Sequence, residues 1–212
     1  MFPVLDTLKI FNCRRLRFKP CPPTFRECQI GYSDQVLSSM ESIDPSSRPC
    51  FPSRDRAIKL DLEIDHDPCP SMRLLHHFPA LRDLRIKGRE LKMTSLPESM
   101  QQLTSLESLT LISCSRISAL PEWLGDLSSL KSLDIQECYR IVSLPSCIQH
   151  LRKLQKLELS CNMELKEWCE SEENKAKLAH IINVKVSSLT NCSISNFSLH
   201  VFLLYNYIYT YC

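Results

Sequence analysis

Histidine and cysteine side chains that could bind a metal ion are concentrated in one short stretch of the chain. This stretch contains His66, Cys69, His76 and His77. A structural zinc site needs four ligands, and two of them usually come from a C-x-x-C pair that reaches the ion from one turn. None of the twelve cysteines belongs to such a pair. We therefore expect no metal site.

Alternating carboxylates form a second group that could bind a hard cation. They are Asp61, Glu63, Asp65 and Asp67. Oxygen ligands of this kind suit Ca²⁺, but a calcium loop also needs a glycine at its sharp turn. This segment has no glycine, and the residues expected to face it are basic. We interpret the carboxylates as the solvated face of a strand.

Residues for catalysis and for nucleotide binding are not grouped in the sequence. His76, His77 and His150 fall in predicted turns or convex helices, and no nucleophile, base and orienting acid come together. The three glycines are too few and too far apart for a phosphate-binding loop. The formal net charge of +2 gives no electrostatic reason to expect a nucleic-acid partner. We expect no catalytic residue, no cofactor, no small-molecule substrate and no nucleic-acid partner.

The ends of the sequence bear on where the protein works. The first residues contain no basic segment followed by an apolar one, so no secretory signal is predicted. The last residues are apolar, but His200, Asn206 and many hydroxyl groups interrupt them, and a membrane span needs about 20 mainly apolar residues. We therefore expect a cytoplasmic protein without a membrane partner, whose cysteines are reduced and mostly buried.

An internal repeat determines which elements carry these residues. Three segments that begin at Leu103, Leu127 and Leu151 align with a spacing of 24 residues. Their apolar positions follow the pattern L-x-x-L-x-L-x-x-[NC]-x-L of a leucine-rich repeat. Further copies begin at Phe78, with one extra residue, and at Phe2.

The repeat pattern predicts the fold. Alternation makes L-x-L a short strand, so Leu109 and Leu111 point inward and their neighbours point outward. The asparagine or cysteine that follows turns the chain out of the strand, and a proline then suits the first position of a helical turn. We predict an α/β fold, a leucine-rich-repeat solenoid (horseshoe) with a parallel concave sheet, short helices or turns on the convex side, and about five strand-bearing repeats.

Charges on the segment from Ala57 support one register of the predicted sheet. Its apolar residues alternate with charged ones, and the repeat frame continues through it into the copy at Phe78. In this register the outward neighbours would be Lys59 and Asp83, Asp61 and Arg85, and Glu63 and Lys87. Because exposed pairs contribute only about 0.2–1 kcal/mol each, they select the alignment more than they stabilise it.

The chain divides into five segments by composition. We predict an N-terminal repeat fragment at 1–20, an irregular Pro- and Ser-rich segment at 21–56, leucine-rich repeats at 57–169 and a C-terminal cap at 170–182. Residues 183–212 read as a non-repeat tail, either disordered or of artefactual origin. For segment 21–56 a long loop, an irregular repeat and a partly disordered insert all remain open.

Several motifs together resemble one protein family. They are F-P-x-L-x-x-L-x-I-x-x-C, S-L-P-x-x-[IM]-x-x-L, L-K-E-W-C-E and K-x-A-H-I, and they extend over about residues 2–182. This combination resembles the C-terminal repeats of plant nucleotide-binding, leucine-rich-repeat (NLR) disease-resistance proteins, most of all the coiled-coil class. The resemblance implies a defence receptor whose repeats sense a pathogen effector or a guarded host protein, or hold a nucleotide-binding (NB-ARC) switch inactive.

The outward strand positions are the candidate partner-binding residues. They would line the concave face of the horseshoe, the surface with which solenoids bind other proteins. These positions are Thr7, Lys9, Phe11, Asp83, Arg85, Lys87, Ser108, Thr110, Ile112, Ser132, Asp134, Gln136, Lys156, Glu158 and Ser160. Two alternatives to immune recognition remain open: a general intracellular scaffold or adaptor, and a truncated receptor fragment without function.

Overall fold

Eight parallel strands follow one another across a single sheet. The structure is a computed structural model that describes residues 5–17, 25–33, 58–64, 80–88 and 93–188, with positions 36, 75 and 78. The described strands are β1 (Leu5–Phe11), β2 (Phe25–Gly31), β3 (Ile58–Glu63), β4 (Leu81–Lys87), β5 (Ser108–Ile112), β6 (Ser132–Gln136), β7 (Lys156–Cys161) and β8 (Asn183–Ser188). Their order in the sheet is their order in the sequence. The fold is a leucine-rich-repeat solenoid, as the repeat pattern predicts.

Two rows of apolar side chains run along the inner face of the sheet. The first row is Leu8, Cys28, Leu60, Leu84, Leu109, Leu133, Leu157 and Val184, and the second is Ile10, Ile30, Leu62, Ile86, Leu111, Ile135, Leu159 and Val186. From β3 to β7 these side chains are at most 1% exposed, and Leu109 and Leu133 are fully buried. Burial of each leucine side chain contributes about 1.5–3 kcal/mol to the stability of the fold. The neighbouring strands shield these side chains from water.

Short 3-10 helices cover the convex side of the middle repeats. They span Glu98–Gln102, Glu122–Asp126 and Ser146–His150. Each begins one residue after a proline, so the proline lies just before the first helical position rather than in it. The carbonyl of Pro121 accepts the N–H of Leu124 at 3.1 Å, and Leu124 is fully buried. The ring fixes φ near the value that the turn needs.

The residue after several strands adopts the left-handed conformation. Asn12, Tyr32, Ser113 and Glu137 have φ between 52° and 57°. In each case the N–H still donates to the next strand; that of Ser113 reaches the Gln136 carbonyl at 2.8 Å. The chain thus leaves the strand sharply without a glycine. This conformation costs a non-glycine residue about 1–2 kcal/mol. The hydrogen bonds to the next strand must therefore stabilise it.

Two α-helices replace the 3-10 helix after β7. They are α1 (Met163–Glu170) and α2 (Glu172–Leu178). Asn162 begins α1, because its Oδ1 accepts the N–H of Leu165 at 2.8 Å and its Nδ2 donates to the Tyr139 carbonyl at 2.5 Å. The helices therefore start where the [NC] position of the repeat ends the strand, as expected for an N-cap.

Strand β2 lies inside segment 21–56, where the sequence shows no usable period. It pairs with β1 and β3, and it places Cys28 and Ile30 in the inner rows. Residues Phe25–Gly31 are thus a strand of the sheet, and most of the remaining segment lies outside the described residues. Cysteine occupies the position that leucine holds elsewhere, so the leucine pattern does not reveal this strand.

The described sheet also continues beyond the predicted repeats. We expected a cap at 170–182 and a tail from 183, but residues 183–188 form β8, which pairs with β7 in register. The two helices therefore connect two strands of the sheet. With β2 and β8 included, the described part of the chain has eight strands rather than about five.

The inner leucines should dominate stability. Leu133→Ala removes a fully buried side chain from the middle of the sheet, and we expect it to lower the free energy of unfolding by about 2–5 kcal/mol. Val142→Ala is the control, because Val142 is 41% exposed and its loss should cost less than about 1 kcal/mol. Urea unfolding followed by circular dichroism measures both, and equal effects would contradict the assigned inward face.

Two substitutions at Asn162 separate the hydrogen bond that its side chain accepts from those that it donates. Asn162→Ala removes all of them, and we expect a loss of about 1–2 kcal/mol in the free energy of unfolding. Asn162→Asp keeps the acceptor for the Leu165 N–H but removes the donor to the Tyr139 and Ile141 carbonyls, so its loss should be smaller. The same urea titration tests this order, and an aspartate variant as unstable as the alanine variant would show that the cap contributes little.

Candidate binding surface

The outward positions of strands β1 to β8 form three rows, which we call the concave face. All of the predicted residues lie in these rows. The first row is Thr7, Glu27, Lys59, Asp83, Ser108, Ser132, Lys156 and Asn183; the second is Lys9, Gln29, Asp61, Arg85, Thr110, Asp134, Glu158 and Lys185; the third is Phe11, Gly31, Glu63, Lys87, Ile112, Gln136, Ser160 and Ser187. The positions from β2 and β8 are additions, because the sequence did not reveal those strands.

Opposite charges are neighbours in the first half of the concave face. The register places Lys59 beside Asp83, Asp61 beside Arg85 and Glu63 beside Lys87, as the charge pattern predicts. The Lys87 ammonium is 2.9 Å from a Glu63 carboxylate oxygen, and Lys59 is 3.7 Å from Glu27 on the other side. Burial raises the pKa of Asp61 and of Asp83, although the neighbouring cations oppose the rise.

Asp134 has a different environment in the second half. Its neighbour in the row is Glu158, a like charge, as the sequence indicates. Gln136 donates to Asp134 Oδ2 at 2.8 Å, while Oδ1 is buried without a hydrogen-bond partner. Burial raises the pKa of Asp134, and Glu158 adds to the rise. Glu158 itself is held in the charged form by Lys156, 2.9 Å away, which lowers its pKa.

A small hollow of about 90 Å³ opens at this end of the concave face. It is lined by Asp134, Gln136, Glu158, Leu159, Ser160, Lys185 and Ser187. The share of one water molecule in the liquid is about 30 Å³, and sites for whole small molecules occupy about 300–1,000 Å³. The hollow therefore fits a few waters or the end of one side chain from a partner.

The two apolar residues of the third row differ in exposure. Ile112 is only 8% exposed and offers little surface to a partner, whereas Phe11 is 44% exposed. The Phe11 ring lies against Gly31, where an added Cβ would be 2.5 Å from ring atom Cδ1. Glycine therefore leaves the space that this ring occupies, and Phe11 is the apolar side chain that the row presents.

Most of the residues considered for metal binding or catalysis lie outside the described residues. His66, Cys69, His76, His77, Asp65 and Asp67 lie outside the described residues. Among the residues that are described, no three side chains of a metal-ligating type come together. His150 is exposed at the end of a convex 3-10 helix. Most of the described cysteines are buried, and burial raises the pKa of the Cys28 thiol to about 12.

The helices of the described segments are all too short or too polar to cross a bilayer. This finding concerns residues 5–17, 25–33, 58–64, 80–88 and 93–188 only.

Comparison with known proteins supports the repeat assignment. A family model described as R13L1/DRL21 leucine-rich repeats matches residues 71–138, about a third of the chain, and this part includes strands β4, β5 and β6. No curated protein matches the chain. The chain thus contains a leucine-rich-repeat region, and this architecture is a protein-interaction module rather than a typical enzyme fold.

Asp134→Asn should stabilise the fold at neutral pH. Because burial raises the pKa of Asp134, the folded state binds the proton more tightly than the unfolded state, and the charged form costs stability above that pKa. We expect the variant to unfold at a higher urea concentration than the wild type at pH 7. The difference should shrink as the pH falls through the raised pKa toward the ordinary carboxyl value of about 4.

Urea midpoints measured across this pH range test the prediction. Glu164→Gln removes the same charge from an exposed side chain and serves as the control. A difference between Asp134→Asn and the wild type that did not change with pH would contradict the assigned cause.

Proposed function

We propose that this chain is the protein-recognition part of a plant intracellular immune receptor, acting in the cytoplasm. Its concave face would bind a pathogen effector, a guarded host protein or the receptor's own nucleotide-binding (NB-ARC) domain. The single observation that carries the proposal is the continuous concave face, built in register from eight parallel strands. At about 4.8 Å per strand it is roughly 34 Å long, the scale of a protein–protein interface.

The charge pattern of this face favours a protein over other ligands. Cations and anions alternate from β2 to β4, and both signs occur again on β6 to β8, so the face has no single sign that would attract the phosphate backbone of a nucleic acid. The hollow beside Asp134 is too small for a whole small molecule, and the larger hollow of about 400 Å³ beside Lys156 and Lys185 is an open depression rather than an enclosed cavity. A folded protein can present complementary charges in the same order, and such complementarity gives specificity and fast association.

Support for the plant receptor is of two kinds. The matched family model describes R13L1/DRL21 leucine-rich repeats. The sequence also resembles disease-resistance proteins in its F-P-x-L, S-L-P and W-C-E motifs. In such a receptor the repeats either bind the foreign protein or restrain the nucleotide-binding switch. Both roles require a rigid protein-binding face, which the register of the sheet provides.

Substitutions on two faces of the same repeats test the proposal. Thr110→Arg with Ser132→Arg introduces bulk and charge on the concave face. Thr104→Arg with Ser128→Arg introduces the same change, from the same residue types, at exposed turns outside the strands. We expect the first pair to weaken binding by at least about tenfold and the second by less than about twofold.

The probes are a purified NB-ARC domain of a coiled-coil-class plant receptor and a panel of secreted pathogen proteins, measured by biolayer interferometry. Binding of the NB-ARC domain would favour the restraining role, and binding of a pathogen protein the sensing role. Circular dichroism confirms that all variants are folded. A partner whose affinity is unaffected by the concave pair would exclude this face as the recognition surface.

A further inference from the structure

The turns that follow β5 and β6 have the same hydrogen-bonded geometry. The N–H of Ile117 donates to the Cys114 carbonyl at 3.2 Å, and that of Ile141 donates to the Cys138 carbonyl at 3.1 Å. The residue before each isoleucine is an exposed arginine, Arg116 in one turn and Arg140 in the other. Neighbouring strands lie about 4.8 Å apart, so the two arginines leave adjacent backbones at the same edge of the sheet.

These two arginines have no acidic partner in the described part of the chain. Every ion pair within 4.0 Å there involves other cations. Glu164 takes the equivalent place after β7 but forms no such pair with Arg140, and Glu137 accepts a hydrogen bond from Ser113 Oγ at 2.5 Å. Two like charges side by side repel each other unless an anion joins them.

At the opposite edge of the sheet, charged residues of consecutive repeats do form ion pairs. There Glu107 lies between two cations in consecutive repeats: its carboxylate is 3.4 Å from Arg82 and 2.7 Å from Lys131. The same repeat geometry therefore pairs charges at one edge and leaves Arg116 and Arg140 without an ion pair within 4.0 Å at the other.

Two apolar side chains are exposed in the same turn region. Tyr139 is 42% exposed and Val142 is 41% exposed. The backbone beneath them is held firmly, because Asn162 donates to the Tyr139 carbonyl. Tyrosine and arginine are among the residue types that contribute most of the binding energy at protein interfaces. The tyrosine ring loses little conformational entropy on binding, and the arginine guanidinium can pair with a carboxylate through two hydrogen bonds.

We propose that Arg116, Tyr139, Arg140 and Val142, the rim patch, form a docking site for an acidic segment of a protein partner. Carboxylates of that segment pair with the two guanidinium groups, and an apolar side chain between them rests on Tyr139 and Val142. This inference rests on the proposed function, since it takes the partner to be a protein. It adds a second contact surface beside the concave face and assigns its chemistry.

A signal for the rim patch is visible in the sequence. Lys92, Arg116 and Arg140 recur at a spacing of 24 residues. Lys92 lies outside the described residues, and the proposal does not depend on it. The repeat analysis weighed only the outward strand positions and therefore missed this column.

Fluorescence anisotropy with a labelled peptide that alternates Asp and Leu tests the proposal on the full chain. A peptide with Asn in place of Asp is the comparator. We expect the wild type to bind the Asp peptide at least about tenfold more tightly than the Asn peptide. Arg116→Glu with Arg140→Glu should reduce that affinity by at least about tenfold. Tyr139→Ala should also weaken binding, while Tyr139→Phe, which keeps the ring, should restore most of it.

Arg152→Glu with Lys153→Glu is the matched control, because it reverses two adjacent exposed charges in the turn between the 3-10 helix Ser146–His150 and β7, away from the rim patch. Its affinity should stay within about twofold of the wild type. Equal losses in the two double variants would overturn the proposal, as would a folded wild type that does not discriminate between the peptides. Hydrogen exchange of the complex should show protection at 113–118 and 137–142, and protection only elsewhere would also overturn it.

The two proposals can fail separately. If a protein partner is lost through Thr110→Arg with Ser132→Arg but is unaffected by the rim variants, the proposed function stands and the rim site is wrong. If the rim binds the Asp peptide as expected but no protein binds the concave face, the concave recognition surface is wrong.

Discussion

The burial of each inner strand residue by the strands on either side is the constraint on which the whole structure depends. Leu109 and Leu133, with described neighbours on both sides, are completely buried. Val184 of β8, which has a described neighbour on one side only, is 42% exposed although it lies in the same row. A repeat therefore obtains its stability from its neighbours, and the strands must keep one register over the length of the sheet.

That constraint determines the backbone wherever it leaves the sheet. Ser113 and Glu137 accept the left-handed conformation because their N–H groups still reach the next strand. In the same way, the carbonyl of Pro121 accepts a hydrogen bond from the N–H of Leu124, and the buried side chain of Leu124 packs into the core from the convex side. The cost of strained or proline-fixed positions is offset by packing that recurs in every repeat, so the chain needs few glycines.

The sequence could predict those parts of the molecule in which the repeat is regular. The spacing of 24 between Leu109 and Leu133 gives the inner rows, and the charges beside Leu60 and Leu84 give the register of β3 with β4. β2 could not be found in this way, because Cys28 follows Leu8 by 20 residues and precedes Leu60 by 32. β8 was missed for a related reason: two helices lengthen the step from Leu157 to Val184 to 27 residues. Both segments are strands because they pair with neighbouring strands of the sheet, and not because their sequences follow the 24-residue repeat.

The same reasoning explains why the candidate surfaces are harder to predict than the core. Inward positions must be apolar in every repeat, whereas outward positions and the turns at the sheet edges are free to vary, so their residues carry information only when compared between repeats. At one edge the comparison gives Arg82, Glu107 and Lys131, in which the carboxylate of Glu107 forms ion pairs with both cations. At the other edge it gives Arg116 and Arg140, charges of one sign on the same regular scaffold. An acidic segment of a partner would supply the negative charge that the described carboxylates do not place within ion-pair distance of these two arginines.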